Sequence, residues 1–506
     1  MIDFNLPKSP SGIEGFDNIA SGGLPTGRST LISGTAGAGK TIFGLQFLVA
    51  GLQQFDEPGV LVTFEEEPED MIRNVRGLDW DLQEMIDQGK MAIVDASPEP
   101  GESMVTIGSY DLSALLARIE HAVTKVKAKR IVLDALGSLF IRFKDLGVIR
   151  REIHRIIRGL RHMGVTSVLT MGRVEEYGTL SRYGVEEFVA DNVIILRNQL
   201  FQEKRRRTIE ILKFRGTTHM TGEYPFAING DSGITIIPLS ALKLTQSSSD
   251  VRISSGNPKL DDMCHGGLFR DSIILVSGAT GTGKTLMVTE FMKEVIKSQE
   301  RALLFAYEES REQLIRNAAA WGVDLESAEK QGLLKMICRY PESRALEDHL
   351  IEIKNELEEF KPKRIALDSL SALERVSTPK SFREFVIGIT SKVKSMEVAG
   401  MFTNTTSMLL GGESITETHI STITDAIILL RYIELHGEVH RGITVLKMRG
   451  SWHDKRIHEY IVNDSGMKIR KPYVGIQGIL SGEVRYTPRT ERELLKEMFT
   501  EPLDAP

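Results

Sequence analysis

The sequence predicts an α/β protein made of two tandem copies of one domain, each a mostly parallel sheet flanked by helices. Three observations predict it. The segment S-G-I-E-G-F-D-N-I-A-S-G-G-L from Ser11 returns from Ser255 as S-G-N-P-K-L-D-D-M-C-H-G-G-L, and Asp17 and Asp261, Gly22 and Gly266, and Lys40 and Lys284 all stand 244 residues apart. A constant offset over such a stretch is the mark of an internal repeat. Later landmarks keep their order at a shorter offset: Asp134 with Asp368 and Lys213 with Lys447, each pair 234 apart. Each copy is therefore about 240 residues, within the range of one large α/β domain. Within each copy, short apolar runs alternate with stretches of helical spacing, which argues for parallel strands joined through helices.

The elements follow in order. I-I-L-V-S leads into a glycine loop, and T-L-M-V-T-E-F-M-K-E-V-I after it has helical spacing. R-A-L-L-F-A-Y, R-I-V-L-D and R-I-A-L-D read as buried strands by length and composition. R-T-I-E-I-L and G-I-T-V-L are β-like runs ending in Lys213 and Lys447. The polar stretch L-T-Q-S-S-S-D from Leu244 to Asp250 reads as a linker. The expected domains are 1–244 and 250–475, followed by a regulatory loop and tail over 476–506. From Glu491 to Pro506 the tail holds five acids and two bases, and it reads as a short helix or a disordered end.

Composition narrows the function. The 506 residues carry a formal net charge of -6, which excludes a strongly basic nucleic-acid coat. Two cysteines, Cys264 and Cys338, are too few for a disulfide scaffold or a four-thiolate zinc site and read as packing residues. No apolar run reaches the ~18 residues of a membrane span, and the N-terminus has no signal-peptide pattern. The expected compartment is the cytoplasm, without membrane contact. Lys204-Arg205-Arg206-Arg207 is a strong basic run, but no aromatic residues interleave with it. It reads as a solvated turn or an interface cluster, so nucleic acid is not an expected partner.

Two loops carry the clearest chemistry. Gly34, Thr35, Ala36, Gly37, Ala38, Gly39, Lys40 and Thr41 fit G-x-x-x-x-G-K-[ST], as do Gly278, Ala279, Thr280, Gly281, Thr282, Gly283, Lys284 and Thr285. Such glycines let backbone N–H groups wrap phosphates at a helix N-terminus, the lysine reaches the β/γ-phosphates, and the threonine holds Mg²⁺. ATP and Mg²⁺ are the expected cofactors. Asp134 and Asp368 end their strands where an acid can contact the metal through water. Glu65-Glu66 and Glu308-Glu309 follow buried strands and could orient water or accept a proton. Glu67 continues the acidic run in the first copy only and reads as surface. Lys213-Phe214-Arg215 and Lys447-Met448-Arg449 look like fingers for a neighbouring subunit's γ-phosphate, with Arg215 and Arg449 acting on the transition state.

Together with F-E-E and Y-E-E, the segments K-F-R-G-T-T-H-M and K-M-R-G-S-W-H-D, and above all H-I-S-T-I-T-D from His419 to Asp425, resemble the KaiC family of tandem RecA-like clock ATPases and autokinases. The resemblance covers about residues 11–485. It implies two RecA-like P-loop domains assembled as stacked hexameric rings with ATP at the subunit interfaces, a slow N-terminal ATPase that receives a KaiB partner, and a C-terminal serine/threonine autokinase and autophosphatase. Carried over by motif, Glu65 and Glu308 are the catalytic acids, with Glu66 and Glu309 beside them. Glu308 joins Thr285 and Asp368 at the metal, as Thr41 and Asp134 serve the first site. Lys213, Phe214, Arg215, Thr217 and His219 contact the first nucleotide across the interface. Lys447, Met448, Arg449, Ser451, His453 and Lys455 contact the second, with Trp321 and Arg441. Ile479 to Gly482, I-L-S-G, resembles the loop that balances kinase against phosphatase. The tail beyond it departs from the pattern that receives KaiA in cyanobacterial members, which leaves KaiA dependence and a true oscillator without support.

At the offset of 234, Ser421 aligns with Glu187, Thr422 with Phe188 and Thr416 with Arg182, so only the second copy has hydroxyls there. The resemblance names Ser421 and Thr422 as phosphosites, with Thr416 as a helper or minor site. The plainer alternative is that I-S-T-I-T starts a β-strand. At the level of function, the reading is a self-phosphorylating hexameric ATPase acting as a circadian clock, timer or stress-signalling component. The alternative is a RecA-like DNA-handling ATPase, since a fold hosts many functions.

Overall fold

A computed structural model describes residues 6–97, 112–141, 145–178, 183–184, 189–201, 204–230, 233–237, 248–406, 420–479 and 485–486. The chain divides into two compact units, Met1–Ala241 and Leu242–Pro506.

In the first unit nine strands form one sheet. Their spatial order is Gly233–Ile236, Glu223–Asn229, Lys204–Phe214, Asn192–Phe201, Ser29–Gly34, Thr166–Gly172, Arg130–Asp134, Gly59–Thr63 and Met91–Asp95. The last six in this order run parallel, and the rest extend the sheet antiparallel. Ser29–Gly34, Gly59–Thr63 and Arg130–Asp134 are buried at every position, because helices cover both faces. Helix Lys40–Phe55 packs Phe43, Phe47 and Leu48 into the core on one face. Helices Leu112–Val126 and Leu146–His162 contribute Ile119, Ile153 and Ile156 to the core on the other.

The second unit repeats this plan. Its sheet runs Leu334–Cys338, Ala302–Ala306, Arg364–Asp368, Ala399–Thr405, Ile273–Gly278, Ala426–Leu435, Glu438–Met448, His458–Asn463 and Gly466–Pro472. Again six strands are parallel and three are antiparallel. Helix Lys284–Ser298 occupies the place of Lys40–Phe55. The fold is thus the duplicated α/β architecture expected from the sequence.

Two local readings change. The basic run Lys204–Arg207 opens the strand Lys204–Phe214 rather than forming a turn. Ile420–Thr422 is a single 3-10 turn, and the strand begins at Ala426. Among the described residues no helix is long and apolar enough to cross a membrane.

Candidate functional site

Each phosphate loop joins the central strand to the helix that follows it. Gly37 and Gly39 have φ of 71° and 93°, and Gly281 and Gly283 have φ of 81° and 96°, values that a side chain would strain. The left-handed turn at Gly39 and Gly283 leads into the first helical turn, leaving its N–H groups free to face an anion. Lys40 Nζ donates to the Thr35 carbonyl at 2.8 Å, and Lys284 Nζ to those of Gly278 and Ala279 at 2.9 and 3.0 Å. Burial pushes both ammonium groups down, against the pull of Asp134 and Asp368 respectively.

The residues expected at the metal meet in both units. Thr41 Oγ1 donates to Asp134 Oδ2 at 2.9 Å, and Thr285 Oγ1 to Asp368 Oδ2 at 2.8 Å. The other carboxylate oxygen accepts from Thr170 at 2.7 Å in the first unit and from Thr403 in the second. Burial pushes both carboxyls up, with these hydroxyl bonds opposing it. A hydroxyl and a carboxylate beside a cradle of backbone N–H groups are hard oxygen donors suited to Mg²⁺ with a triphosphate, so the residues fit the group that the motif implies.

The paired acids lie beside these loops. Glu65 is exposed and accepts from Ser138, while Glu66 accepts from Asn74 at 3.3 Å. Glu308 accepts from Ser369 at 3.1 Å and from Arg375 at 2.6 Å. Glu309 accepts from Asn317 at 3.0 Å, and burial, then Asp368, pushes its carboxyl up. The first unit carries Ile141 at the position 234 before Arg375, so among the described residues only the second acid has a guanidinium partner of this kind.

Arg441 belongs to the phosphate-loop end of the second unit. It pairs across the ladder with Tyr432, whose hydroxyl donates to the Thr280 carbonyl at 3.3 Å. Its Nε is buried without a hydrogen-bond partner among the described residues. Trp321 caps the helix Arg311–Ala320 and packs against the core of the same unit.

The pairs Lys213–Arg215 and Lys447–Arg449, expected as fingers, lie elsewhere. Gly34 pairs with Leu196, but Phe214 pairs with Asn192, which is level with Thr30. Likewise Gly278 pairs with Leu430, whereas Met448 pairs with Ala426, level with Ile274. Four residues along a strand are about 13 Å, so each finger sits at the opposite end of its sheet from its own phosphate loop. Lys213 Nζ donates to the Ala190 carbonyl at 2.8 Å, and half-exposed Arg215 faces Asp191 at 3.9 Å. Lys447 Nζ donates to the carbonyls of Ser421 and Thr424 at 2.7 and 2.6 Å, and Arg449 to that of Thr422 at 2.6 Å. Ser421 and Thr422 therefore share the finger end. The Phe214 and His219 rings lie 5.6 Å apart, tilted by 54°, near Thr217 in the chain. Ser451 accepts from Arg252 at 2.6 Å, Lys455 is exposed, and both ring nitrogens of His453 are buried without partners among the described residues. Thr416 lies outside the described residues, as do Arg182, Glu187, Phe188 and the stretch 480–482.

Some residues at the first loop escaped the sequence reading. Glu176 accepts from Thr35 Oγ1 at 2.6 Å, and Arg207 Nε donates to the Gly37 carbonyl at 3.4 Å. The signal for Arg207 was available, since it stands 234 before Arg441.

Comparison with known proteins identifies the family. A profile of the KaiC ATPase family matches residues 9–241 and again 253–473. The circadian clock protein KaiC3 of Synechocystis sp. is 60% identical over 496 residues, 98% of each chain. The circadian clock oscillator protein KaiC of Prochlorococcus marinus is 58% identical over 94% of this chain and 95% of its own. That of Synechococcus elongatus is 55% identical over 97% of this chain and 94% of its own. Two matched copies, each with a phosphate loop and an acid-terminated strand, and relatives aligned nearly end to end lead to one conclusion: the chain belongs to the KaiC family of ATPases.

Proposed function

We propose that this protein is a Mg²⁺- and ATP-dependent homohexamer in the cytoplasm. Its first unit hydrolyses ATP and receives a KaiB-like partner, and its second unit phosphorylates and dephosphorylates itself on Ser421 and Thr422. The clock role follows the names of the relatives at 55% to 60% identity. One observation supports the assembly: in both units the finger stands at the end of the sheet away from its own phosphate loop. A finger so placed cannot reach its own phosphates, which supports head-to-tail interfaces between copies of the chain; such interfaces close into a ring when the rotation between copies allows it.

Mg²⁺ bound by Thr285 and Asp368 would neutralise phosphate charge during transfer. The chain's own groups do the remainder. Lys284 holds the β/γ-phosphates, and Arg449 from the neighbour stabilises the charge on the transferring group. The hydroxyl of Ser421 or Thr422 bonds to the γ-phosphorus as the bond to the ADP oxygen breaks, and its proton passes to Glu308. In the first unit Glu65 orients a water in place of a hydroxyl acceptor. Arg375 and Ser369 hold the Glu308 carboxylate in position.

Phosphopeptide mass spectrometry after incubation with ATP and Mg²⁺ tests the acceptors. Ser421→Ala with Thr422→Ala should abolish nearly all stable phosphate while sparing ATP hydrolysis by the first unit. Undiminished incorporation overturns the assignment. Hydrolysis stimulated by single-stranded DNA, with steep salt dependence, would instead support DNA handling.

A further inference from the structure

The finger end of the first unit opens into a groove of about 700 Å³ lined by Arg150, Arg151, Arg158, Arg161, His154 and Arg215, among others. The helix Leu146–His162 builds it. Ile149, Ile153, Ile156 and Leu160 face the core, which turns the arginines at 150, 151, 158 and 161 outward. Among the described residues the charge here is not balanced. A single buried carboxylate, Asp191, serves Arg161 at 2.6 Å, Arg28 at 3.4 Å and Arg215 at 3.9 Å. Arg150, Arg151 and Arg158 form no ion pair with any described residue, and no carboxylate of the described residues lines the groove.

The second unit provides the control. Its helix Pro379–Ser395 has the same length, and Lys394 reaches Asp425 at 2.7 Å as Arg161 reaches Asp191. At the matching offset of 233, Arg151, His154 and Arg158 become Glu384, Ile387 and Ser391. Arg150 keeps its charge as Arg383. A groove of about 330 Å³ at this end of the second unit shares only the positions of Lys394 and Arg449 with it, and is lined otherwise by residues such as Asp250, Asp271 and Asp425. The helix face that lines the groove in the first unit thus has far less positive charge in the second. Guanidinium groups held together without counter-charge repel one another, and an anion relieves that repulsion.

We propose that this groove is a second anion site of the first unit, separate from its phosphate loop, which takes a small phosphate-bearing anion. Guanidinium forks match phosphate oxygens bidentately, and the volume is that of a small-molecule site rather than a macromolecular surface. Arg215 lines the groove and is also the finger of the preceding subsection, so an anion bound here draws Arg215 away from the neighbour's nucleotide and slows hydrolysis. Only this link to hydrolysis rests on the ring reading. The site itself rests on the groove.

The test uses the full-length protein with both phosphate loops saturated by a slowly hydrolysed ATP analogue and Mg²⁺. Equilibrium dialysis with labelled tripolyphosphate should find one further saturable site per chain. Arg151→Gln with Arg158→Gln should weaken it at least tenfold, and Arg151→Lys with Arg158→Lys should retain most of it, which separates charge from misfolding. In ATPase assays without the analogue, tripolyphosphate should slow the wild type and leave the glutamine pair unaffected, with equal basal rates. Saturation by orthophosphate alone assigns the site to free phosphate, and a requirement for tripolyphosphate assigns it to a phosphate chain such as a nucleotide's. No further saturable binding, as expected if carboxylates of a neighbouring copy fill the groove, overturns the proposal, and so does equal affinity in the glutamine pair. Full ATPase activity in Arg215→Ala would sink the finger reading instead, and would leave the binding result untouched.

Discussion

Glu65 and Glu308 occupy matching positions but have different surroundings. Glu65 has a serine hydroxyl, from Ser138, whereas Glu308 has Ser369 and the guanidinium of Arg375. A carboxylate with a cation on one side is turned by it and presents a defined lone pair, which suits the capture of a proton from a fixed hydroxyl. A carboxylate held only by a hydroxyl can still orient a mobile water. The two acids are therefore expected to divide the chemistry. Glu65→Gln should lower steady-state ATP hydrolysis by about 10²–10⁴, the usual worth of a general base, while phosphate still appears on Ser421 and Thr422. Glu308→Gln should do the reverse. Parallel measurement of phosphate release and of phosphopeptides checks both, and equal loss of both activities in both variants would contradict specialised units.

The strands that carry these acids are anchored differently. Behind Glu65 the chain buries Phe64, which belongs to the same apolar cluster as Leu115. Behind Glu308 it buries Tyr307 against His349, ring centroids 5.4 Å apart, on the helix Leu346–Phe360 that matches Leu112–Val126. The Tyr307 hydroxyl and His349 Nδ1 have no partner among the described residues. Leaving such a hydroxyl buried costs about 1–3 kcal/mol, so Tyr307→Phe should raise the stability of the second unit by about that much, while His349 keeps its Nε2 bond to the Pro341 carbonyl at 3.2 Å. Burial also pushes His349 down from its ordinary value. The unfolded chain then binds more protons than the folded one, so stability is full above about pH 6.5 and falls as the pH drops through that value. Denaturation followed across this range should show a smaller loss in His349→Leu than in the wild type. Elements of this kind divide what the sequence reveals from what it hides. The phosphate loops, the acids ending R-I-V-L-D and R-I-A-L-D, and the alternation of strand and helix are legible because each is local and occurs twice. Glu176 on Thr35 and Arg375 on Glu308 are not, because each partner is supplied from a distant stretch of chain. The arginines of Leu146–His162 read as an ordinary solvated helix face until the groove at Arg215 gathers them.

At the scale of the whole molecule, the position of the acceptors makes a demand that a lone finger would not. Ser421 and Thr422 stand with Lys447 and Arg449, at the end of the sheet away from Lys284. In a head-to-tail ring one subunit then supplies the phosphate loop and its neighbour supplies both finger and acceptor. Consider rings assembled from equal amounts of Lys284→Ala and Arg449→Ala chains. The Lys284→Ala chain cannot hold ATP in its second unit but keeps its finger and acceptors. The Arg449→Ala chain holds ATP but offers no finger. A working site forms only where an Arg449→Ala loop faces a Lys284→Ala finger, which random mixing gives at about one quarter of interfaces. Each parent alone should be nearly inactive, since loss of a finger costs about 10³–10⁵ in rate. The mixture should recover phosphorylation, and the phosphate should appear on the Lys284→Ala chains, which bind no ATP of their own in that unit. A size tag on one parent lets gel separation of the mixture read this directly. Phosphate on the Arg449→Ala chains, or a mixture as inactive as its parents, would show that finger and acceptor do not act together across one interface.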